Sequence, residues 1–237
     1  MRIHHLGFIL TACACMLVPA AGLGAAMGTP TPAPTATPAP TPAPPLSPLE
    51  RTFVDTVTRD LQTRFTTTKQ AAAAGYYRYN NEDETGAISW VNTSYWKSDP
   101  QHPAQLWYDI NGRLIGADFS YLQADSVKAQ TMWGVSASRF IAIEQHVHYG
   151  LKQPDGSVKY GAGYGAKTAA KFGVPLANPT AADIVKIGKA KDASQVAFVF
   201  EYPAIWDLMV WLVPNPLGAF AEFNPDVKPS KSAETSM

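Results

Sequence analysis

The sequence predicts an α+β domain in which an antiparallel β-sheet packs against a long N-terminal helix, with short additional helices. Three observations predict it. A capped segment from Pro48 onward repeats apolar residues at helical spacing, a series of short strand-like pieces follows Gly75, and turn signals join those pieces into hairpins.

Residues 1–28 read as a signal peptide: Arg2, an almost unbroken apolar run from Leu6 to Leu17, then small residues through Ala26. Leu10-Thr11-Ala12-Cys13 offers a lipoprotein box as an alternative, lipidated at Cys13, but few apolar residues precede that cysteine. An uncleaved N-terminal membrane anchor is the other alternative; Pro19 and the glycines weigh against it. Each reading places the protein outside the cytoplasm, secreted or periplasmic, or held at a membrane by its first residues. Residues 29–48 hold nine prolines in twenty positions and form a Pro/Thr/Ala-rich linker. Proline fixes φ and lacks an N–H, so this stretch favours polyproline II and acts as a spacer of up to ~60 Å.

A single globular domain is expected over residues 49–237. Ser47, Pro48 and Glu50 make a capping box with proline at the first helical position. Leu49, Phe53, Val54, Val57, Leu61 and Phe65 then place one apolar face toward the domain, and Gly75 is the expected stop. The strand-like pieces are YYRY, AISWV, AQLWYDI, RLIGADFSYL, RFIAIEQHVHY and SVKYGAGY. Asn111-Gly112 predicts a type I′ hairpin, and Gln153-Pro154-Asp155-Gly156 a second turn. Short helices are expected at Ala166 to Phe172 and Ala181 to Ile187, the latter capped by Thr180 with Asp183. Two apolar strands, QVAFVFEY and IWDLMVWLV, lead to a proline-rich ending.

Composition removes several function classes. Nineteen basic and nineteen acidic residues are scattered along the chain, without the basic footprint of a nucleic-acid binder. Cys13 and Cys15 both fall in the targeting segment, so a processed domain has no disulfide, zinc-thiolate site or thiol nucleophile. GAGYGAK lacks phosphate-loop spacing, and no nucleophile-elbow motif occurs.

The chemical lead is IEQHVHY. On a strand, Glu144, His146 and His148 share one face while Ile143, Val147 and Tyr149 share the other. Two imidazoles with a carboxylate suit one divalent transition metal, with Glu144, Asp207 or Glu201 completing the shell. The same stripe also suits the wet face of an antiparallel sheet, or a polar ligand cleft. Six tryptophans supply a second lead. Most serve packing, but Trp206, Trp211 and Tyr149, with Asp207 in an otherwise apolar strand, are candidate ligand-binding residues.

WDLMVWLVPNPLGAFAEFNPDV, with AAAAGYYRY, ISWVNTSYW and HPAQLWYDINGRLIGADFSYL, resembles a family of uncharacterised secreted bacterial proteins over roughly Phe53 to Val227. The resemblance implies a single extracytoplasmic domain and no particular activity. Members of that family often carry histidine where this chain has Met209, so a site using that position would be altered here. The sequence therefore points to a secreted or periplasmic binding domain around Glu144, His146 and His148. The alternatives are a metal-dependent extracytoplasmic enzyme and a structural or interaction protein of the cell envelope.

Overall fold

The computed structural model describes residues 42–125, 133–231 and 233, all within one compact unit, Ala39–Met237. The signal peptide, Cys13 and most of the linker lie outside the described residues. Among the described residues, no helix is long and apolar enough to cross a membrane.

Helix α1 (Pro48–Arg64) begins as expected. Ser47 Oγ accepts from Glu50 N–H at 3.2 Å, and Glu50 Oε2 accepts from Ser47 N–H at 2.7 Å. Phe53, Val57 and Leu61 are buried along one face. The helix does not continue to Gly75. It ends at Phe65, and Thr67 opens a second capping box with Gln70 that starts α2 (Thr68–Ala73). Threonine hydroxyls compete for backbone partners, so Thr66 and Thr67 favour a cap over a helix interior. The carbonyls freed at the break are used: Tyr108 Oη donates to Phe65 O at 3.0 Å and to Thr67 O at 3.3 Å.

Strands β1 (Tyr77–Arg78), β2 (Ile88–Val91), β3 (Gln105–Tyr108), β4 (Leu114–Leu122), β5 (Ile141–Ile143) and β9 (Ile205–Trp211) form a six-stranded antiparallel sheet in the order β1-β2-β3-β4-β9-β5. The β3–β4 hairpin is present, but its turn differs from type I′. Among its residues only Gly112 has positive φ, at +76°, and Gly112 N–H bonds Asp109 O at 2.9 Å. Asp109 Oδ1 also accepts from the N–H groups of Asn111 and Arg113, holding a type I turn closed by a glycine bulge.

A second antiparallel sheet has the order β7-β6-β8, from β6 (His146–Lys152), β7 (Val158–Tyr164) and β8 (Val196–Tyr202). Helices α3 (Ala166–Phe172) and α4 (Ala181–Lys186) lie between β7 and β8 in the chain. Thr180 and Asp183 form the expected capping box.

Three layers of core follow from strand alternation. One face of the six-stranded sheet offers Leu106, Phe119, Tyr121, Leu208 and Val210 to Phe53, Val57 and Leu61 of α1. The opposite face meets β8, where Tyr79, Val91 and Ile205 pack with Phe200 and Tyr202. The far side of the smaller sheet packs Val147, Tyr149 and Val196 on Ile184 and Ile187, in and just after α4.

One pair of strands runs through both sheets. β5 pairs with β9 up to Ile143↔Ile205, and β6 pairs with β8 from His146↔Tyr202 onward. Glu144-Gln145 and Pro203-Ala204 make the bend between them. Gln123 closes the corner, its N–H donating to Ala204 O at 2.9 Å and its Nε2 to Ile143 O and Ile205 O at 3.1 and 3.0 Å.

Candidate functional site

The structure brings His146 and His148 together and leaves Glu144 out. Their Nε2 atoms are 3.0 Å apart, and His146 Nδ1 lies 2.7 Å from Glu144 O. A carbonyl can only accept, so His146 carries its proton on Nδ1 and presents a bare Nε2. His148 must then donate from Nε2, which leaves its buried Nδ1 as an acceptor without a hydrogen-bond partner. Burial lowers both pKa values. His148 falls to about 3, with the neighbouring His146 charge as the second cause, while the Glu144 carbonyl partly offsets the burial of His146. Two neutral imidazoles joined by one hydrogen bond is the state these contacts favour. Aromatic rings hold the pair: Tyr202 stacks on His146 at 4.5 Å between centroids, and Phe200 on His148 at 5.6 Å.

The expected Glu/His/His stripe fails at its first residue. The strand breaks between β5 and β6, so strand alternation does not carry Glu144 onto the histidine face; its side chain is exposed and its carbonyl makes the contact. Glu201 is opposite Val147 in the register, not opposite either histidine. Its carboxylate accepts instead from Gln145 Nε2 at 2.6 Å and Asn178 N–H at 3.2 Å. Among the described residues, no set of three His, Cys, Asp or Glu side chains converges as metal ligands.

The four residues expected to bind ligand fall in separate places. Tyr149 is buried on the α4 side of β6, because it alternates with His148. Trp206 packs on the α1 side of the main sheet. Trp211 and Asp207 share the opposite face of β9. Trp211 is buried edge-on against Trp107, 5.5 Å away, and its Nε1 donates to Ala221 O at 2.7 Å.

Asp207 has the partner that an aspartate in an apolar strand needs, and that partner is another carboxylate. It interacts with Asp118 on β4, and both side chains are only 4% exposed. Trp107 Nε1 donates to Asp118 Oδ2 at 2.8 Å. Burial raises both carboxyl pKa values, Asp207 to about 7 and Asp118 well above the usual carboxylate range, with the Asp207 charge as its second cause. Two such groups hold one proton between them. Ser120, opposite Asp207 in the ladder, leaves Oγ without a partner, as do Asp118 Oδ1 and Asp207 Oδ1. Beside them Gln105 bridges two buried phenols, accepting from Tyr79 Oη and donating to Tyr202 Oη. Sequence reading passed over Asp118, although its signal equals that of Asp207: one carboxylate inside an apolar strand, RLIGADFSYL.

Gly116 admits Trp107 to this arrangement. A Cβ at position 116 would stand 2.1 Å from Trp107 Cε3, so Gly116→Ala must displace the indole that bonds Asp118. The expected cost is about 1–3 kcal/mol, measured by urea unfolding.

The accessible part of the region is a cleft of about 590 Å³ beside β8. Trp96, Phe200 and Leu122 give it apolar walls, while Lys97, Asn178 and Glu201 supply polar groups. Trp96 packs on Tyr202 at 4.7 Å, on the residue that stacks with His146. The imidazole pair therefore sits one aromatic ring behind the cleft. Asn178 has φ +50°, a conformation asparagine tolerates, held by the Glu201 bond. Neither Trp96 nor Asn178 carried a local sequence signal, because segments far apart in the chain build this cleft. No protein-family model, curated protein or solved structure matches the chain.

Proposed function

We propose that the protein is a secreted or periplasmic binding domain on a proline-rich tether, and that its ligand occupies the cleft beside β8. The observation that carries this reading is the combination, in one cleft of about 590 Å³, of two aromatic walls with a lysine, a glutamate and an asparagine. Ligand sites combine apolar walls with a few polar groups that set orientation. The leader-like first residues and the spacer support the extracytoplasmic assignment, as does the resemblance to a secreted family. The buried carboxylate and imidazole pairs serve in this reading as an internal polar frame that orients Phe200 in the wall of the cleft and Tyr202 behind it.

Amide and indole NMR shifts of the purified protein, titrated with panels of amino acids, short peptides and oligosaccharides, test it. A saturable shift at the Trp96 indole and the Asn178 amide is expected with one class, and Trp96→Ala should abolish binding while leaving the spectrum of the core intact. Absence of any such shift across the panels would remove the cleft as a binding site.

A metal reading has one specific observation in its favour. Two nitrogens bound to one ion at about 2.0–2.1 Å are separated by roughly 3 Å, close to the 3.0 Å between the imidazoles. Against it, ligation through both Nε2 atoms would put a proton on His148 Nδ1, a buried position with no acceptor. Elemental analysis of untagged protein beside a His146→Ala/His148→Ala variant decides between them. Near-stoichiometric metal, lost in a folded variant, would establish the metal site; the hydrogen-bonded pair predicts none.

A further inference from the structure

Among the described residues, the cleft lies along a strand edge that has no paired neighbour. β8 is the outer strand of its sheet, paired to β6 on one side. Val199, Phe200 and Glu201 all line the cleft. Consecutive residues point to opposite faces of a strand, so a cavity touching three in a row lies at the edge and not over a face. What faces that cavity is a row of backbone N–H and C=O groups.

Strand geometry specifies what would fill it. β8 and β9 run in one direction through the bend at Pro203-Ala204, and β4 lies antiparallel to β9 with Leu122 opposite Ile205. β4 ends at Leu122, which lines the cleft, and the next residue, Gln123, bonds Ala204 O through its N–H. A strand laid against β8 would prolong the line of β4.

The other sheet edges are guarded. β1 has two residues and β5 three. β7 carries Lys159 and two glycines, and Gly161 N–H bonds Tyr79 O at 3.3 Å. β8 is seven residues long, VAFVFEY, with no proline, lysine or glycine. Long unguarded apolar edges pair with other chains unless something covers them. Here Trp96, Asn178 and Pro179 line the cleft together with the edge residues.

We propose that the ligand is an extended polypeptide segment that adds to β8 as an antiparallel strand, a conclusion that rests on the cleft being the binding site. Backbone bonds to β8 supply the common recognition, and alternate side chains supply selectivity. Residues on the Phe200 face meet Trp96 and Phe200 and should be apolar. Residues on the other face pass the Glu201 carboxylate and should be basic.

The probe is the blocked pentapeptide acetyl-Lys-Val-Lys-Val-Lys-amide, with two analogues that are N-methylated either at the valines or at the lysines. Hydrogen exchange resolved by NMR is read on the full processed chain. In free protein the outward amides of β8, every second one from Val196 to Tyr202, should exchange fast, and the peptide should slow them at least tenfold. One N-methyl pattern should weaken binding about tenfold or more, because it removes donors aimed at β8, and the other should be tolerated. If a probe of any class shifts Trp96 without protecting these amides, the cleft reading survives and strand addition is overturned. Protection already present in free protein, or protection that rises with protein concentration, would mean that the edge is covered within the chain or by a second copy, and would also overturn it. If nothing shifts Trp96, both the cleft reading and strand addition fall.

Discussion

Arg139→Ala is expected to destabilise the folded protein by about 3–5 kcal/mol, because it strips the partner from a buried carboxylate. Glu50 and Arg139 are separated by 89 positions, and their side chains are only 4% and 8% exposed. Arg139 Nε donates to Glu50 Oε1 at 3.0 Å and its Nη2 to Oε2 at 3.3 Å. The same Nη2 reaches the carbonyls of Pro44 and Pro45, so one guanidinium ties the end of the proline-rich segment to the start of α1. Glu50 also accepts from the N–H groups of Ser47 and Ser136. Arg139, before any other partner, holds its carboxyl down to about 2 from the ordinary 4.5. A carboxyl whose pKa is depressed by folding stabilises above its unfolded value, and that contribution is lost as pH falls from about 4.5 toward 2. Urea unfolding at pH 7 and at pH 3 checks both parts. The gap between wild type and Arg139→Ala should be large at the first pH and smaller at the second. A loss under 1 kcal/mol at pH 7 would show that the buried pair does not hold α1 in place.

Asp207→Asn is expected to change how stability depends on pH, and the direction follows from two opposed shifts. Asp207 rises from 3.8 to about 7 on folding, so between those values the folded state binds more protons than the unfolded chain and stability falls as pH rises. His148 drops from 6.5 to about 3, so across that window the folded state binds fewer protons and stability rises with pH. Each slope is at most about 1.4 kcal/mol per pH unit. From about pH 4 to 6.5 they oppose each other and these two groups leave wild-type stability nearly flat. Asp118, raised by burial as well, adds a falling slope in both proteins, so the expected result is a difference: relative to wild type, Asp207→Asn should gain roughly 1 kcal/mol per unit as pH rises through that range. At pH 8 it should be more stable than wild type, because the buried charge is gone and an amide can donate to Asp118. Parallel curves for the two proteins in urea unfolding from pH 4 to 8 would show that the carboxylate pair holds no shared proton.

Much of the fold was legible because its signals are local. The capping boxes at Ser47 and Thr180, the hairpin at Asn111-Gly112 and alternation in the β4 and β9 segments each depend on neighbours within a few positions. Errors came where two local signals competed or a bend intervened. Thr66 and Thr67 ended a helix that the later alanines would have continued, and the Glu144-Gln145 bend broke an alternation that looked uninterrupted. The candidate site was less legible for the same reason. His146 and His148 meet because they are two apart on one strand, which the chain shows directly. Asp118 meets Asp207 only because β4 lies beside β9, across 89 positions of chain.

What the sequence determined by itself is therefore the α+β class, most element positions, the places of the turns, and the placing of both histidines on one face. Tertiary structure alone decided which polar groups share a proton, which tryptophans are buried and which one reaches a cleft. It also decided that β8 would be the outer strand of its sheet among the described residues. The physical reason is that sheet order and layer packing are set by long-range burial, which no stretch of local sequence encodes. Trp96, Asn178 and Glu201 became one cleft only when the two sheets closed on each other.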